Sequence, residues 1–180
     1  MRKTKIYLDE TLFYRDRYNS DAFHNIKTLF RRIEHGGYNA FTSQFVIDMI
    51  SRIREPNESK ELDDILKNIT ILDTNDESNR LVELYYMGAY FDLNNRNNEF
   101  LKYFNECGFC TFYDMNRQYD YDKDSYMNIA IASVNELDIV LSMDFRKLVN
   151  HKTRMWTGII NEINGYRSIK ICSPMEVIKE

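Results

Sequence analysis

The chain has 180 residues, 43% of them apolar, 29% charged and 14% aromatic, with a formal net charge of −4. That is a single domain's length with a globular composition, which excludes a disordered chain. The slightly acidic balance excludes a protein that grips nucleic acid with its whole surface, so any such contact needs a local basic patch.

No run approaches the ~18 apolar residues of a membrane span. Asp9 interrupts the basic start before an apolar stretch long enough for a signal peptide. Three cysteines are an odd count and no disulfide framework. The expected setting is cytoplasmic, away from any membrane.

In chain order, residues 5–8 read as a buried strand and 22–35 as a helix stopped by Gly36-Gly37. Asn39 to Thr42 is a short strand, and Ser43 caps the next helix. There Val46, Met49, Ile50 and Ile53 form an amphipathic stripe, and Pro56 ends it. Glu58 to Asn68 is a helix, Ile69 to Leu72 a strand, and Asp76 to Tyr90 a helix. Residues 91–121 are rich in Asn and Tyr and read as an insertion, with one short helix near 98–106. Met127, Ala130, Ile131 and Val134 mark a helix before the strand 139–142. Short helices follow near 146–151 and 153–164, then the strand Ile169 to Cys172 and a helical turn from Pro174. This alternation predicts one α/β domain over 1–180, a three-layer α/β/α sandwich with a central parallel sheet of four to five strands.

Two of these strands end in an acid. Ile6-Tyr7-Leu8 runs into Asp9, and Ile139-Val140-Leu141 leads through Ser142 to Asp144. In a parallel sheet both carboxylates reach the carboxyl edge, where open α/β folds place their ligands. Two carboxylates there repel unless a cation sits between them. Mg²⁺ or Mn²⁺, hard and oxygen-loving, is the natural one. The competing reading makes each acid a solvated loop residue or a helix cap. Asp138 belongs to the opposite end of its strand.

Several segments together resemble the PIN-domain family of metal-dependent ribonucleases, which includes VapC-like toxins. Lys5-Ile-Tyr-Leu-Asp9 is similar to the family's opening strand and first acid. Thr42-Ser-Gln-Phe-Val-Ile-Asp-Met49 is similar to its Ser-led second-acid helix. Asp124-Ser-Tyr-Met-Asn-Ile-Ala-Ile-Ala132 looks like its third-acid helix, and Leu141-Ser-Met-Asp-Phe-Arg-Lys-Leu-Val-Asn150 like its last acid segment. Residues 165–177 resemble the C-terminal strand of one bacterial subgroup.

The resemblance implies a metal-dependent endoribonuclease in which Asp9, Asp144 and Asp124 hold Mg²⁺ or Mn²⁺. Asp48 is the remaining candidate catalytic acid. Ser142, Ser125 and Asn128 would support the ligands by hydrogen bonds. Water would attack phosphorus in line, leaving a 3′-hydroxyl and a 5′-phosphate. A homodimer and, for toxin members, an antitoxin protein are the implied partners besides RNA.

The chain departs from the family pattern at two acids. The second falls at Met49, beside Asp48, which points roughly 150° from the apolar stripe and has Arg52 at i+4, a ready surface pair. The third falls at Ser125, with Asp124 one residue earlier, and Asn128 stands where the family usually has His.

A basic segment, Arg146, Lys147, His151, Lys152 and Arg154, directly follows Asp144. It is placed to hold an RNA backbone, with Phe145 and Trp156 available for stacking. The plainer reading is a solvated helix face with core aromatics. Cys107-Gly-Phe-Cys110 has redox-motif spacing but follows a helix rather than starting one. Two alternatives stay open: a degenerate PIN domain that binds RNA or a protein without cleavage, and a structure-specific DNA nuclease on the same scaffold.

Overall fold

The computed structural model describes residues 2–14, 19–52, 59–94 and 123–178. Strands β1 (Lys5–Leu8), β2 (Asn39–Ser43), β3 (Ile69–Leu72), β4 (Ile139–Leu141) and β5 (Lys170–Cys172) form one five-stranded sheet in the order β3-β2-β1-β4-β5. Every pairing is parallel, with Leu8 opposite Leu141 and Tyr7 opposite both Phe41 and Val140. The central strands carry unbroken apolar runs because both faces are covered; Ile6, Tyr7, Leu8, Val140 and Leu141 are wholly buried.

The helices are α1 (Ser20–Glu34), α2 (Gln44–Ser51), α3 (Ser59–Leu66), α4 (Asp76–Asn94), α5 (Lys123–Val134), α6 (His151–Ile163) and α7 (Pro174–Ile178). α1 packs with α7, while α4 packs with both α5 and α6. The division follows from the strand order. The chain steps outward from β1 to β2 and β3, then returns across the sheet to β4 and β5. Right-handed crossovers running in opposite directions put their helices on opposite faces. The three-layer α/β/α architecture is the one expected.

The reversal lies between β1 and β4, the place where open α/β sheets have their crevice beyond the carboxyl ends of the strands. Asp9 follows one of these strands and Ser142 the other. The Asp9 amide still donates to the Leu141 carbonyl (3.2 Å), and the Ser142 amide to that of Cys172 (3.0 Å), so both exits are tied to the ladder.

Local chemistry sets the element ends. Gly36 takes φ +72° after α1, and the Gly37 amide returns to the Arg32 carbonyl at 2.8 Å. Ser43 caps α2 through the Val46 amide, and Val46 and Ile50 bury its stripe. A polar knot ties α4, α5 and α6: the buried Tyr85 hydroxyl donates to Asn161 Oδ1, and Asn161 Nδ2 donates to Ser133 Oγ at 3.0 Å.

Two expectations need correction. α4 runs through Asn94, one turn into the segment expected to be an insertion. The short helix expected near 146–151 is a turn over 145–148, after which Asn150, in extended backbone, caps α6 through the Thr153 amide. The asparagine breaks the helical run because its side chain satisfies the new helix's orphan amide. Ile53, Pro56, the rest of the insertion with its expected helix, and the Cys107–Cys110 pair lie outside the described residues.

Candidate active site

Asp9 leaves β1 and caps a short 3-10 helix, Glu10–Phe13; its Oδ1 accepts the Thr11 amide (2.9 Å) and the Thr11 hydroxyl. The residue is 0% exposed, and its other oxygen, Oδ2, accepts no hydrogen bond from any described residue. A buried carboxylate oxygen without a donor is a rare and costly arrangement. Burial first, and then the charge of Glu10, push the Asp9 carboxyl well above its usual range; the nearby Ser142 hydroxyl, whose geometry gives Oδ2 no hydrogen bond, and the Thr11 hydroxyl and amide offset only part of the rise.

Thr11 and Ser142 staple the two strand exits together. Thr11 Oγ1 accepts the Met143 amide at 2.8 Å and lies 3.4 Å from Ser142 Oγ. Ser142, wholly buried, accepts the Asp144 amide at 2.9 Å. Asp144 is half-buried; its Oδ1 takes the Arg146 and Lys147 amides at 3.0 and 2.9 Å. It therefore caps the turn that follows the β4 exit, as the plainer reading of this acid expects.

Glu10 is the residue that sequence reasoning missed. It is half-buried beside Asp9, and burial raises its carboxyl, with the charges of Asp144 and Asp124 adding to the rise against opposing hydrogen bonds from its own amide and Asn128. Asn128 Nδ2 donates to Glu10 Oε2 at 2.8 Å. Asn128 is itself held: the Tyr7 hydroxyl lies 3.0 Å from its Oδ1 and 2.7 Å from Ser43 Oγ. One phenolic proton serves one acceptor. The amide oxygen cannot donate and a serine can, so the Tyr7 proton belongs to Asn128 and the Ser43 hydroxyl closes on the Tyr7 oxygen. Burial raises the Tyr7 phenol well above its ordinary value of 10.0, which keeps it a donor.

The other predicted residues separate. Asp124 is exposed in the first turn of α5, and Ser125 is buried beside it. Asp124 is near enough for its charge to act on Glu10. Asp48 stands apart. It is exposed on α2 and accepts from Gln44 Nε2 at 2.8 Å, a neighbour on its own helix rather than the Arg52 expected from spacing. Met49 is half-buried.

Of the basic segment, Arg146, Lys147, His151 and Lys152 are exposed immediately beyond Asp144. Arg154 is taken up by Glu176, with contacts of 3.0 and 3.2 Å to its two oxygens. Phe145 is 51% exposed, whereas Trp156 is half-buried in α6. The opposite edge of the sheet holds Asp138. Burial works against its charge, but the Lys5 amide (2.8 Å), Arg167 and Arg2 outweigh that and hold its carboxyl below the usual range. It plays no part in the acid cluster, as its strand position predicts.

Asp9 thus feels the charge of Glu10, and Glu10 that of Asp144 and Asp124. Among the described residues no three His, Cys, Asp or Glu side chains converge into a ready-made metal cage. Mg²⁺ does not require one; it is usually held by one or two carboxylates with waters and substrate phosphates completing its shell. The orphaned Asp9 Oδ2 next to a second carboxylate fits that chemistry. No protein-family model matches the chain, and no curated protein matches it.

Proposed function

We propose that the chain is a PIN-like endoribonuclease that uses Mg²⁺ or Mn²⁺ at the crevice between β1 and β4. The observation that carries this reading is Asp9: a fully buried carboxylate, one oxygen of which accepts no hydrogen bond from any described residue, at the switch point of a parallel sheet. Such an acid is poorly suited to stability and well suited to a cation. Asp9 would hold the ion, with Asp144 and Asp124 adding negative charge at the rim. A bound divalent ion would supply a water of lowered pKa and neutralise charge on the scissile phosphate.

The protein's own groups do the positioning. Thr11 and Ser142 lock the β1 and β4 exits in register, and the Thr11 donors fix the Asp9 carboxylate plane. Arg146, Lys147 and Lys152 offer the RNA backbone positive charge directly past Asp144. The first turn of α6 holds Lys152 and no acid. Cations at a helix N-terminus oppose the helix dipole, an arrangement that an approaching phosphate relieves. Phe145 provides an exposed ring for a base. On the same reading the toxin role, with an antitoxin protein and a homodimer, is the biological setting proposed.

A second reading keeps the scaffold and drops the chemistry: a degenerate PIN domain that binds RNA or a protein. Met49, in place of the acid on α2, favours it. Cleavage of structured RNA with Mn²⁺ separates the two. The ribonuclease reading expects product from wild type and about 100-fold less or none from Asp9→Asn and Asp144→Asn. Equal cleavage by all three overturns the assignment of these acids, and no cleavage by wild type favours the binding module.

A further inference from the structure

Glu10 has more structure built around it than a surface acid needs. It follows Asp9 on the 3-10 turn, so it is carried back toward the crevice instead of to the far face of the sheet as a strand residue would be. Asn128 arrives from α5, 118 residues along the chain, to donate to Oε2. Behind Asn128 stand Tyr7 on β1 and Ser43 at the start of α2, both wholly buried. This hydrogen-bonded chain fixes the direction in which the Asn128 amide donates. Its last member is a carboxylate, close enough to Asp144 and Asp124 to be repelled by them.

Neither Asp9 nor Glu10 forms an ion pair with a described residue. The independent sign of a ligand is the adjacent Asp9 Oδ2, fully buried and without a hydrogen-bond partner among the described residues. A protein that orders one acid through three buried polar groups, beside another that lacks a donor, has left a cation to neutralise both.

We infer that Glu10 replaces the acid missing from α2. With Asp9 it forms the carboxylate pair that binds the divalent cation, and Asn128 and Tyr7 are positioning residues for it. The inference rests on the metal-dependent reading above and assigns that site's ligands. It explains how Met49 is tolerated: the negative charge has moved from α2 to the turn after β1. It also gives Asn128 a purpose that an imidazole would serve differently, since the neutral amide donates to Glu10 while accepting from Tyr7.

Calorimetric titration of the full chain with Mn²⁺, with no RNA present, tests this directly. Wild type binds Mn²⁺; Glu10→Gln binds at least about tenfold more weakly, Asn128→Ala about tenfold more weakly, and Asp48→Asn as wild type does. Wild-type binding with an unchanged dissociation constant in Glu10→Gln overturns the role of Glu10 and leaves Asp9 as a ligand. No binding by wild type overturns the metal-dependent reading and the inference with it.

Crystals of wild type grown with Mn²⁺ keep the question open to decision should Glu10→Gln misfold. The anomalous peak is expected within about 2.0–2.6 Å of a Glu10 oxygen. A Mn²⁺ ion at the crevice but away from Glu10 sinks the assignment.

Discussion

Replacing Asp9 with asparagine is expected to make the metal-free protein more stable. The substitution keeps the Oδ1 acceptor for the Thr11 amide and hydroxyl and removes a charge that is 0% exposed. It also replaces Oδ2, which accepts no hydrogen bond from any described residue, with an uncharged amide and so removes the repulsion from Glu10. Asp9 has its folded-state pKa raised above the ordinary 3.8. Between those two values the folded state holds a proton that the unfolded state has lost, so stability falls as pH rises through this window.

Relieving a buried acceptor that no described residue satisfies is worth about 1–3 kcal/mol. At about 2–4 °C per kcal/mol for a chain of this size, Asp9→Asn should melt about 2–12 °C above wild type at neutral pH. Differential scanning calorimetry in EDTA from about pH 4 to 8 reads the effect. Wild type should lose stability relative to the variant as pH rises above the ordinary 3.8, and added Mn²⁺ should raise the wild-type melting temperature and leave the variant unmoved. A variant that melts below wild type in EDTA at every pH would refute the idea that Asp9 is a strained, cation-seeking carboxylate.

Tyr7→Phe removes the donor to Asn128 Oδ1 and leaves that buried oxygen unmatched, a loss of about 1–3 kcal/mol in urea unfolding. Arg146→Glu together with Lys147→Glu should weaken RNA binding and flatten its salt dependence, whereas Arg154→Ala should do little to either, because Arg154 is already engaged by Glu176. For Glu176, burial favours the neutral acid, but the Ser173 amide (2.7 Å), the Ser173 hydroxyl and Arg154 outweigh it and lower the carboxyl. Glu176→Gln should therefore cost about 0.5–1 kcal/mol at pH 7 through loss of this cap. The difference should close as pH falls below the ordinary 4.5 and on through the lowered value, followed by thermal melts of both proteins.

The expected acids differ in how far spacing could place them. Asp9 and Asp144 were legible because each ends an apolar run, and a buried parallel strand can release a polar group only at its edge. Asp48 was legible as a solvent-facing acid from its angle to the Val46–Ile50 stripe, although its partner is Gln44 and not Arg52. Glu10 was not legible. One residue after Asp9, strand periodicity would send it to the other face, and only the turn capped by Asp9 brings it back. Its partner Asn128 lies too far along the chain for any local pattern to join them. The turn after Asp144 was misread as a helix because basic residues have good helical propensity, while the outcome was set by the Asp144 carboxylate and the Asn150 cap.

By itself the sequence determined the layers, the direction of the strands and the edge at which two acids emerge. Those follow from periodicity and from the satisfaction of backbone groups, which are local. The tertiary structure decided which acids meet and what holds them. The strand order put β1 beside β4 and so Asp9 beside Ser142, and packing of α5 over β1 delivered Asn128 to Glu10. It also left Asp9 Oδ2 without a donor among the described residues, because hydrogen-bond satisfaction at a buried sheet edge depends on groups from every element that closes over it.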